Sequence, residues 1–152
     1  LQLDGGDRNQ AMSIGRFFHQ AKVRTIVPGN GARCGSPCPL VLVGGRDPET
    51  GRASYVKHSS GIVQFNGPAL NYADRQYSLT ELDNVVAGSQ RDTLAIADYL
   101  KGVGANIGIL KHYVSVPVGG TPRLLTDEEA LDLGIPVYDD SSGTLIPATR
   151  RR

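Results

Sequence analysis

The stretch LQLDGGDRNQAMSIGRFFHQAKVRTIV, residues 1–27, decides the fold that the sequence predicts. Its first residues alternate apolar and polar, as a strand does, and Gly5 and Gly6 then break the pattern with a tight turn. Apolar side chains recur at spacings of three and four over residues 8–21, which predicts an amphipathic helix. Residues 23–27 are rich in β-branched side chains and predict a second strand. A strand, a helix and a strand in this order imply a parallel sheet, and hence an α/β fold.

The next segment joins a turn rich in glycine and proline to a short apolar run. Residues 33–39 read RCGSPCP, and residues 40–43 read LVLV. So short a run suits either a buried strand or a buried helix. Because proline is tolerated at the start of a helix, we expect a short buried helix that begins near Ser36. Residues 53–58 predict a further strand, and residues 59–78 predict irregular structure.

The second half of the chain is predicted to be mainly helical. Apolar residues at helical spacing predict a long helix over residues 79–103 and a shorter one over residues 107–114. The sequence TDEE that begins at Thr126 fits a capping box, in which Glu129 reaches back to the Thr126 amide. Residues 135–138 complete the pattern as a last strand.

Composition excludes several classes of protein. Of the 152 residues, 39% are hydrophobic and 20% are charged, which suits one packed domain and argues against disorder. The net charge of +1 lacks the basic bias of a nucleic-acid-binding surface. No run of about 18 apolar residues is present to span a membrane. We therefore predict one domain over residues 1–140 and a flexible basic tail over residues 141–152. Because the chain starts with Leu1 inside a strand, we expect that its true N-terminus is missing.

Three features at the ends of these elements suit a catalytic site. A serine such as Ser36, in a turn before a helix, has an exposed hydroxyl beside a helix end that stabilises negative charge. His58, at the end of a strand, is a candidate base for the serine proton. The Gly5-Gly6 turn exposes backbone N–H groups that suit an oxyanion. From spacing alone, plain turn residues remain the commoner explanation, because a serine beside a glycine is frequent.

The order and context of these segments resemble a known family, the periplasmic relatives of the Clp protease proteolytic subunit within the ClpP/crotonase superfamily. The segments that carry the resemblance are LDGG at residues 3–6, AMSIGR at 11–16, TIV at 25–27, CGSPC at 34–38, His58, and LLTDEEA at 124–130 followed by Gly134. The resemblance extends from Leu1 to about Tyr138. It implies a ClpP/crotonase-like α/β fold, in which repeated β-β-α units build a small, mainly parallel sheet flanked by helices.

The resemblance also implies a function. It suggests a periplasmic, serine-hydrolase-like protein, or a peptidase that acts on a peptide or protein substrate without a metal or other cofactor. By position, Ser36 would be the nucleophile, His58 the base and Gly5 an oxyanion donor, with Gly6 beside it. Relatives with this fold assemble as rings or stacked trimers, so a homo-oligomer is expected.

Two positions depart from the pattern of the proteolytic relatives. There the residue after the nucleophile donates its N–H to the oxyanion, but Pro37 has no N–H. The loss of one such donor typically costs about 10²–10³ in kcat. The position of the third catalytic residue, an aspartate in those relatives, falls on Pro122. Asp74 and Asp127 remain candidates to orient His58. A catalytically inactive binding or assembly module is therefore the alternative function.

The two cysteines flank Ser36. Cys34 and Cys38 are four residues apart, which in a helical or turn-like segment brings their Cα atoms within range of a disulfide. The periplasmic location that the resemblance suggests would favour that bond. Two free thiols or half of a metal site are the alternatives, although zinc sites usually need four ligands, or three and a water.

Overall fold

Two four-stranded sheets and five helices make up the part of the chain that the structure, a computed structural model, describes: residues 1–67, 76–117 and 119–148. The strands are β1 (Leu3–Asp4), β2 (Thr25–Val27), β3 (Arg33–Gly35), β4 (Tyr55–His58), β5 (Ile62–Phe65), β6 (Arg123–Leu124), β7 (Val137–Asp139) and β8 (Thr144–Ile146). The helices are α1 (Arg8–Ala21), α2 (Cys38–Leu42), α3 (Leu79–Gly102), α4 (Gly108–Ser115) and α5 (Asp127–Asp132). The predicted α/β class is confirmed.

The two sheets share one plan. Sheet A has the strand order β1-β3-β5-β6, and sheet B has the order β2-β4-β7-β8. In each sheet the first three strands are parallel and the last is antiparallel. From β1 to β5 the chain alternates between the sheets, so that β2-β3-α2 and β4-β5-α3 are two β-β-α units that each supply both sheets. Instead of the one small sheet that the sequence predicts, there are therefore two mainly parallel sheets.

The helices agree better with the sequence than the strands do. Helix α1 has the predicted bounds, and Thr126 and Glu129 form the predicted capping box of α5. Strands β3, β5, β6 and β8 were not predicted. Strand β5 lies in the segment expected to be irregular. Strand β8 pairs with β7 inside the stretch expected to be a flexible tail, and the basic residues at 150–152 lie outside the described residues.

One hydrophobic cluster joins both sheets and all five helices. Its centre is α2, of which every residue is buried. The phenol of Tyr99, on α3, donates a hydrogen bond of 2.6 Å to the carbonyl oxygen of Leu40 on α2. Because α2 is surrounded by protein, the Ser36 turn that precedes it is anchored in the core.

Helix α1 packs on the end of α2 through two glycines. A Cβ atom on Gly44 would lie 2.7 Å from the Cα of Gly15 and closer still to the Gly15 carbonyl oxygen. A Cβ atom on Gly15 would lie 2.9 Å from the carbonyl oxygen of Leu40 and would overlap the Tyr99 hydroxyl. The backbones of α1 and of the α2 segment therefore touch directly, which no larger residue would allow.

Helix α3 is only partly covered. Its buried residues, Ile96, Tyr99 and Leu100, all lie near its C-terminal end. Exposed apolar residues such as Leu79, 81% exposed, and Val86 lie in its N-terminal half. Among the helices that the structure describes, none combines the length and apolar character needed to cross a membrane.

The Gly44→Ala variant tests the contact between the glycines. We expect it to lower the free energy of unfolding by about 1–3 kcal/mol, as overpacking of a core does, because the new methyl group meets backbone atoms. Denaturant unfolding followed by circular dichroism measures this change. Gly88→Ala, on α3, is the matched control because a Cβ there meets nothing within 4 Å. That control should be neutral or slightly stabilising, and equal effects of the two variants would contradict the prediction.

Candidate active site

A cavity of about 480 Å³ lies where the carboxyl ends of β1, β3 and β5 meet. Each of these parallel strands is followed by a residue pair that lines the cavity: Gly5-Gly6 after β1, Ser36-Pro37 after β3 and Asn66-Gly67 after β5. Helices α1 and α3 supply the walls. Ligands of open α/β sheets commonly bind at the carboxyl ends of parallel strands, and this cavity has that position.

The Gly5-Gly6 turn adopts a backbone conformation that only glycine reaches without strain. The φ angles are 113° for Gly5 and 131° for Gly6. A Cβ atom on Gly6 would lie 3.9 Å from the Pro37 ring, so the two turns face each other closely. The structure therefore brings the predicted oxyanion residues and the predicted nucleophile to one cavity.

A disulfide spans the Ser36 turn. The sulfur atoms of Cys34 and Cys38 are bonded at 2.07 Å, their Cα atoms are 5.1 Å apart, and both residues are buried. Ser36 itself is half-buried between them. Of the three alternatives for these cysteines, the structure has the disulfide, so neither sulfur is free to bind a metal. No group of three or more metal-binding side chains is found among the described residues.

Tyr113 lies behind Ser36. This α4 residue points its hydroxyl at the turn, 3.4 Å from the carbonyl oxygen of Pro37. The ring of Phe65 meets it edge-on, with 5.0 Å between the ring centres. Burial raises the pKa of Tyr113 far above its ordinary value, so the phenol stays protonated at neutral pH. Tyr113 can position Ser36 but cannot remove its proton.

His58, the predicted base, lies outside the cavity that Ser36 lines. It ends β4 in sheet B, and the cavity does not include it. The chain turns after His58 and enters β5, whose four residues span about 13 Å before the cavity is reached. The ring of His58 packs on Tyr138, with 4.7 Å between the ring centres, and its Nδ1 atom lies 2.5 Å from Asp140 Oδ1. The structure does not bring His58 and Ser36 together.

The other histidines also lie outside the cavity. His112 is buried and stacks on Phe65, with 5.1 Å between the ring centres. His19 lies in the last turn of α1. Burial lowers the pKa of both imidazoles. All three histidines of the chain fall within the described residues, and none of them lines the cavity.

Asn66 is the side chain that the end of β5 brings to the cavity. It follows β5, which pairs with β3, and it lines the cavity with Ser36. Its Oδ1 atom accepts a hydrogen bond of 2.7 Å from Gln64 Nε2. Sequence reasoning missed Asn66 because residues 59–78 were expected to be irregular. The apolar run at 62–65 before Asn66 was the available signal for a strand end at this place.

Asp140 holds His58 and the turn between β4 and β5. Its carboxylate accepts hydrogen bonds from the Ser60 hydroxyl, from the Ser60 amide at 3.0 Å and from the Ser59 hydroxyl at 3.3 Å. The Ser60 hydroxyl, the Ser60 amide and His58, in that order, hold the pKa of Asp140 well below its usual range. Sequence reasoning did not single out Asp140.

Asp127, one of the two acids proposed to orient His58, contacts Lys57 instead. Lys57 is buried, with its side chain 3% exposed, and its Nζ lies 2.5 Å from Asp127 Oδ1. The same ammonium donates to the carbonyl oxygens of His58, at 3.0 Å, and Ser59, at 3.3 Å. Asp127 therefore neutralises a buried lysine. Asp74 lies outside the described residues.

The charges of the cavity come from its walls. Arg8 on α1 faces Asp92 on α3, with 3.7 Å between Nη1 and Oδ2. Asp7 caps α1, and its carboxylate accepts a hydrogen bond of 2.8 Å from the Gln10 amide. Among its described residues, the cavity is thus lined by one cationic side chain, Arg8, and two acidic ones, Asp7 and Asp92.

Models of known protein families do not match this chain, and a comparison with curated proteins gives no significant match.

The Asp140→Asn variant tests the role of the Asp140 carboxylate. Because the folded-state pKa lies below that of the unfolded chain, the carboxylate stabilises the fold above the unfolded pKa of about 3.9. This contribution is lost as the pH falls through the folded-state pKa. We expect Asp140→Asn to lower the melting temperature at pH 7, and the difference from the wild type to shrink below about pH 4.

Melting curves at a series of pH values measure this difference. Asp83→Asn removes an exposed carboxylate of α3 and should leave the pH profile unchanged. A difference between Asp140→Asn and the wild type that stays constant down to pH 2 would contradict the assignment.

Proposed function

We propose that this chain is a catalytically inactive member of the ClpP/crotonase superfamily, which binds a ligand in the Ser36 cavity and does not cleave it. The observation that carries the proposal is the surroundings of Ser36. Among the described residues no histidine lines the cavity, and neither Asn66 nor the protonated phenol of Tyr113 takes a proton at neutral pH. The carboxylates of Asp7 and Asp92 also line the cavity, but they are engaged with the start of α1 and with Arg8.

The fold supports the family part of the proposal. The β-β-α units, each giving strands to two sheets, agree with the plan that the resemblance implies. The Gly5-Gly6 turn and the Ser36 turn meet at one cavity, as the order of the motifs predicts. The protein would thus keep the frame of a hydrolase site without its base.

The disulfide supports a periplasmic or otherwise extracytoplasmic location. Structural disulfides form and persist in oxidising compartments and are rare in the cytosol. Cys34 and Cys38 are bonded to each other and buried in the core, so this bond belongs to the folded state.

A homo-oligomer is part of the same proposal. The N-terminal half of α3 exposes apolar side chains, among them Leu79, Leu82 and Val86. Their spacing of three and four residues puts them on one face of the helix, and a contiguous exposed apolar patch marks an interaction surface.

A serine hydrolase that acts on peptides is the second candidate. The observation in its favour is the position of Ser36, at the start of α2 and opposite the Gly5-Gly6 turn. It needs a base that reaches Ser36 and an oxyanion donor in place of the amide that Pro37 lacks. The two candidates differ in the reactivity of the Ser36 hydroxyl.

Labelling with a fluorophosphonate probe separates them. We expect the wild-type chain to be labelled no more than the Ser36→Ala variant, because a serine without a base is a weak nucleophile. In-gel fluorescence measures the labelling, with a known serine hydrolase as positive control. Wild-type labelling that Ser36→Ala abolishes would overturn the proposal and establish the hydrolase.

The Asn66→His variant tests whether the missing base silences Ser36. A histidine at the end of β5 would face the Ser36 cavity, and a positioned base contributes about 10²–10⁴-fold to rate. We expect the labelling rate to rise at least about tenfold above the wild type, less than the full effect because Pro37 still lacks its N–H. The double variant Asn66→His/Ser36→Ala must stay unlabelled. An unchanged rate in a folded Asn66→His protein would show that the base is not what Ser36 lacks.

A further inference from the structure

Several polar side chains among the described residues of the cavity can donate hydrogen bonds to a ligand, although the carboxylates of Asp7 and Asp92 also line it. Asn66 uses its Oδ1 atom to accept from Gln64, so its Nδ2 amide group is left to donate. Arg8 carries five N–H donors and no acceptor. The Ser36 hydroxyl adds a further group that rotates to donate. A cavity lined in this way suits a ligand that accepts hydrogen bonds.

The acidic groups of the cavity compete only weakly with such a ligand. The Asp7 carboxylate is engaged as the cap of α1. Asp92 lies 3.7 Å from Arg8, beyond a normal hydrogen bond, and its side chain is 62% exposed against 30% for Arg8. The guanidinium therefore lies deeper than the carboxylate.

The described lining also contains Asn9 and a group of apolar side chains. Met12 on α1 faces Ala95 and Ile96 on α3, and the Pro37 ring forms part of the base. The cavity, at about 480 Å³, is at the small end of the range for small-molecule sites. Its size and lining suit one apolar side chain of ordinary length attached to a polar head.

We propose that the cavity binds a carboxylate attached to a small apolar body, with the Arg8 guanidinium and the Asn66 amide as donors to the carboxylate. Arginine matches a carboxylate with two parallel hydrogen bonds, which fixes the orientation of the head group. The apolar body lies against Met12 and Ile96. Two sources have this chemistry, the C-terminal residue of a polypeptide and a free small carboxylic acid. The inference rests on the proposed function, because it assumes a bound and uncleaved ligand.

Isothermal titration calorimetry tests the inference with three compounds: N-acetyl-leucine, N-acetyl-leucine amide, and an acetylated tetra-alanine peptide that ends in leucine with a free carboxylate. The amide keeps the apolar body and removes the charge. We expect both acids to bind at least about tenfold more tightly than the amide, since hydrogen bonds to charged groups are the strong ones.

Two arginine variants identify the donor. Arg8→Gln should reduce binding of N-acetyl-leucine at least about tenfold and remove the preference over the amide. Arg91→Gln makes the same charge change at an exposed position of α3 that does not line the cavity, and it should bind like the wild type. Circular dichroism of both variants confirms that the fold is kept.

The outcomes separate the two sources and the two proposals. Tighter binding of the peptide than of N-acetyl-leucine identifies a polypeptide C-terminus, and equal binding identifies a small acid. Equal binding of acid and amide, or no binding of any compound, overturns the inference. The proposed function fails separately, through labelling of Ser36 by the fluorophosphonate, whatever the titrations show.

Discussion

The direct contact between the backbones of α1 and of the segment after α2 is the constraint on which the rest of the structure depends. Helix α1 begins just after the Gly5-Gly6 turn, and α2 begins just after the Ser36 turn. Because Gly15 and Gly44 let the two segments touch, the turns that precede them are held face to face. The disulfide fixes the second turn, and the buried α2 fixes both to the core. The contact between the two glycines thus positions the Gly5-Gly6 and Ser36 turns, which line the cavity. Sites held by rigid elements are typically positioned in this way.

The chemistry of the cavity is then set by the order of the strands. In sheet A the parallel strands β1, β3 and β5 end side by side, and the residues that follow them share a cavity whatever their identity. Proton transfer needs hydrogen-bond reach, so only a residue after one of these strands, or on a wall, can serve Ser36. His58 ends a strand of sheet B instead, and Asp140 and Tyr138 occupy its ring. His58 is therefore held by Asp140, outside the lining of the Ser36 cavity.

The sequence predicted the helices well, and the reason is physical. Helices α1 and α5 carry local signals, apolar spacing and caps, that do not depend on the rest of the chain. The approach of Gly5-Gly6 to Ser36 was also predictable, because carboxyl ends of parallel strands meet at one edge. The missed strands have two to four residues, too few to show a period, and β5 is buried at three successive positions instead of alternating. Because β5 was not predicted, the sequence did not show that Asn66 would line the cavity or that His58 would lie outside it. Both positions depend on which sheet each strand joins.

Hydrogen-bond donors in a cavity can be backbone N–H groups or side chains, and the difference bears on whether the site would catalyse a reaction or only bind a ligand. An enzyme accelerates a reaction only through interactions that strengthen in the transition state, and backbone N–H groups aimed at a developing oxyanion supply them. Pro37 removes that donor at the position next to Ser36. The backbone of the Gly5-Gly6 turn still lines the cavity, and the side-chain donors of Arg8 and Asn66 lie around the space that a ligand's head group would fill. A permanent cation such as Arg8 favours a ligand that is already charged before any bond changes. In the proposed function, Arg8 and Asn66 would hold the carboxylate of a ligand in its ground state, and interactions that do not strengthen in the transition state do not raise the rate.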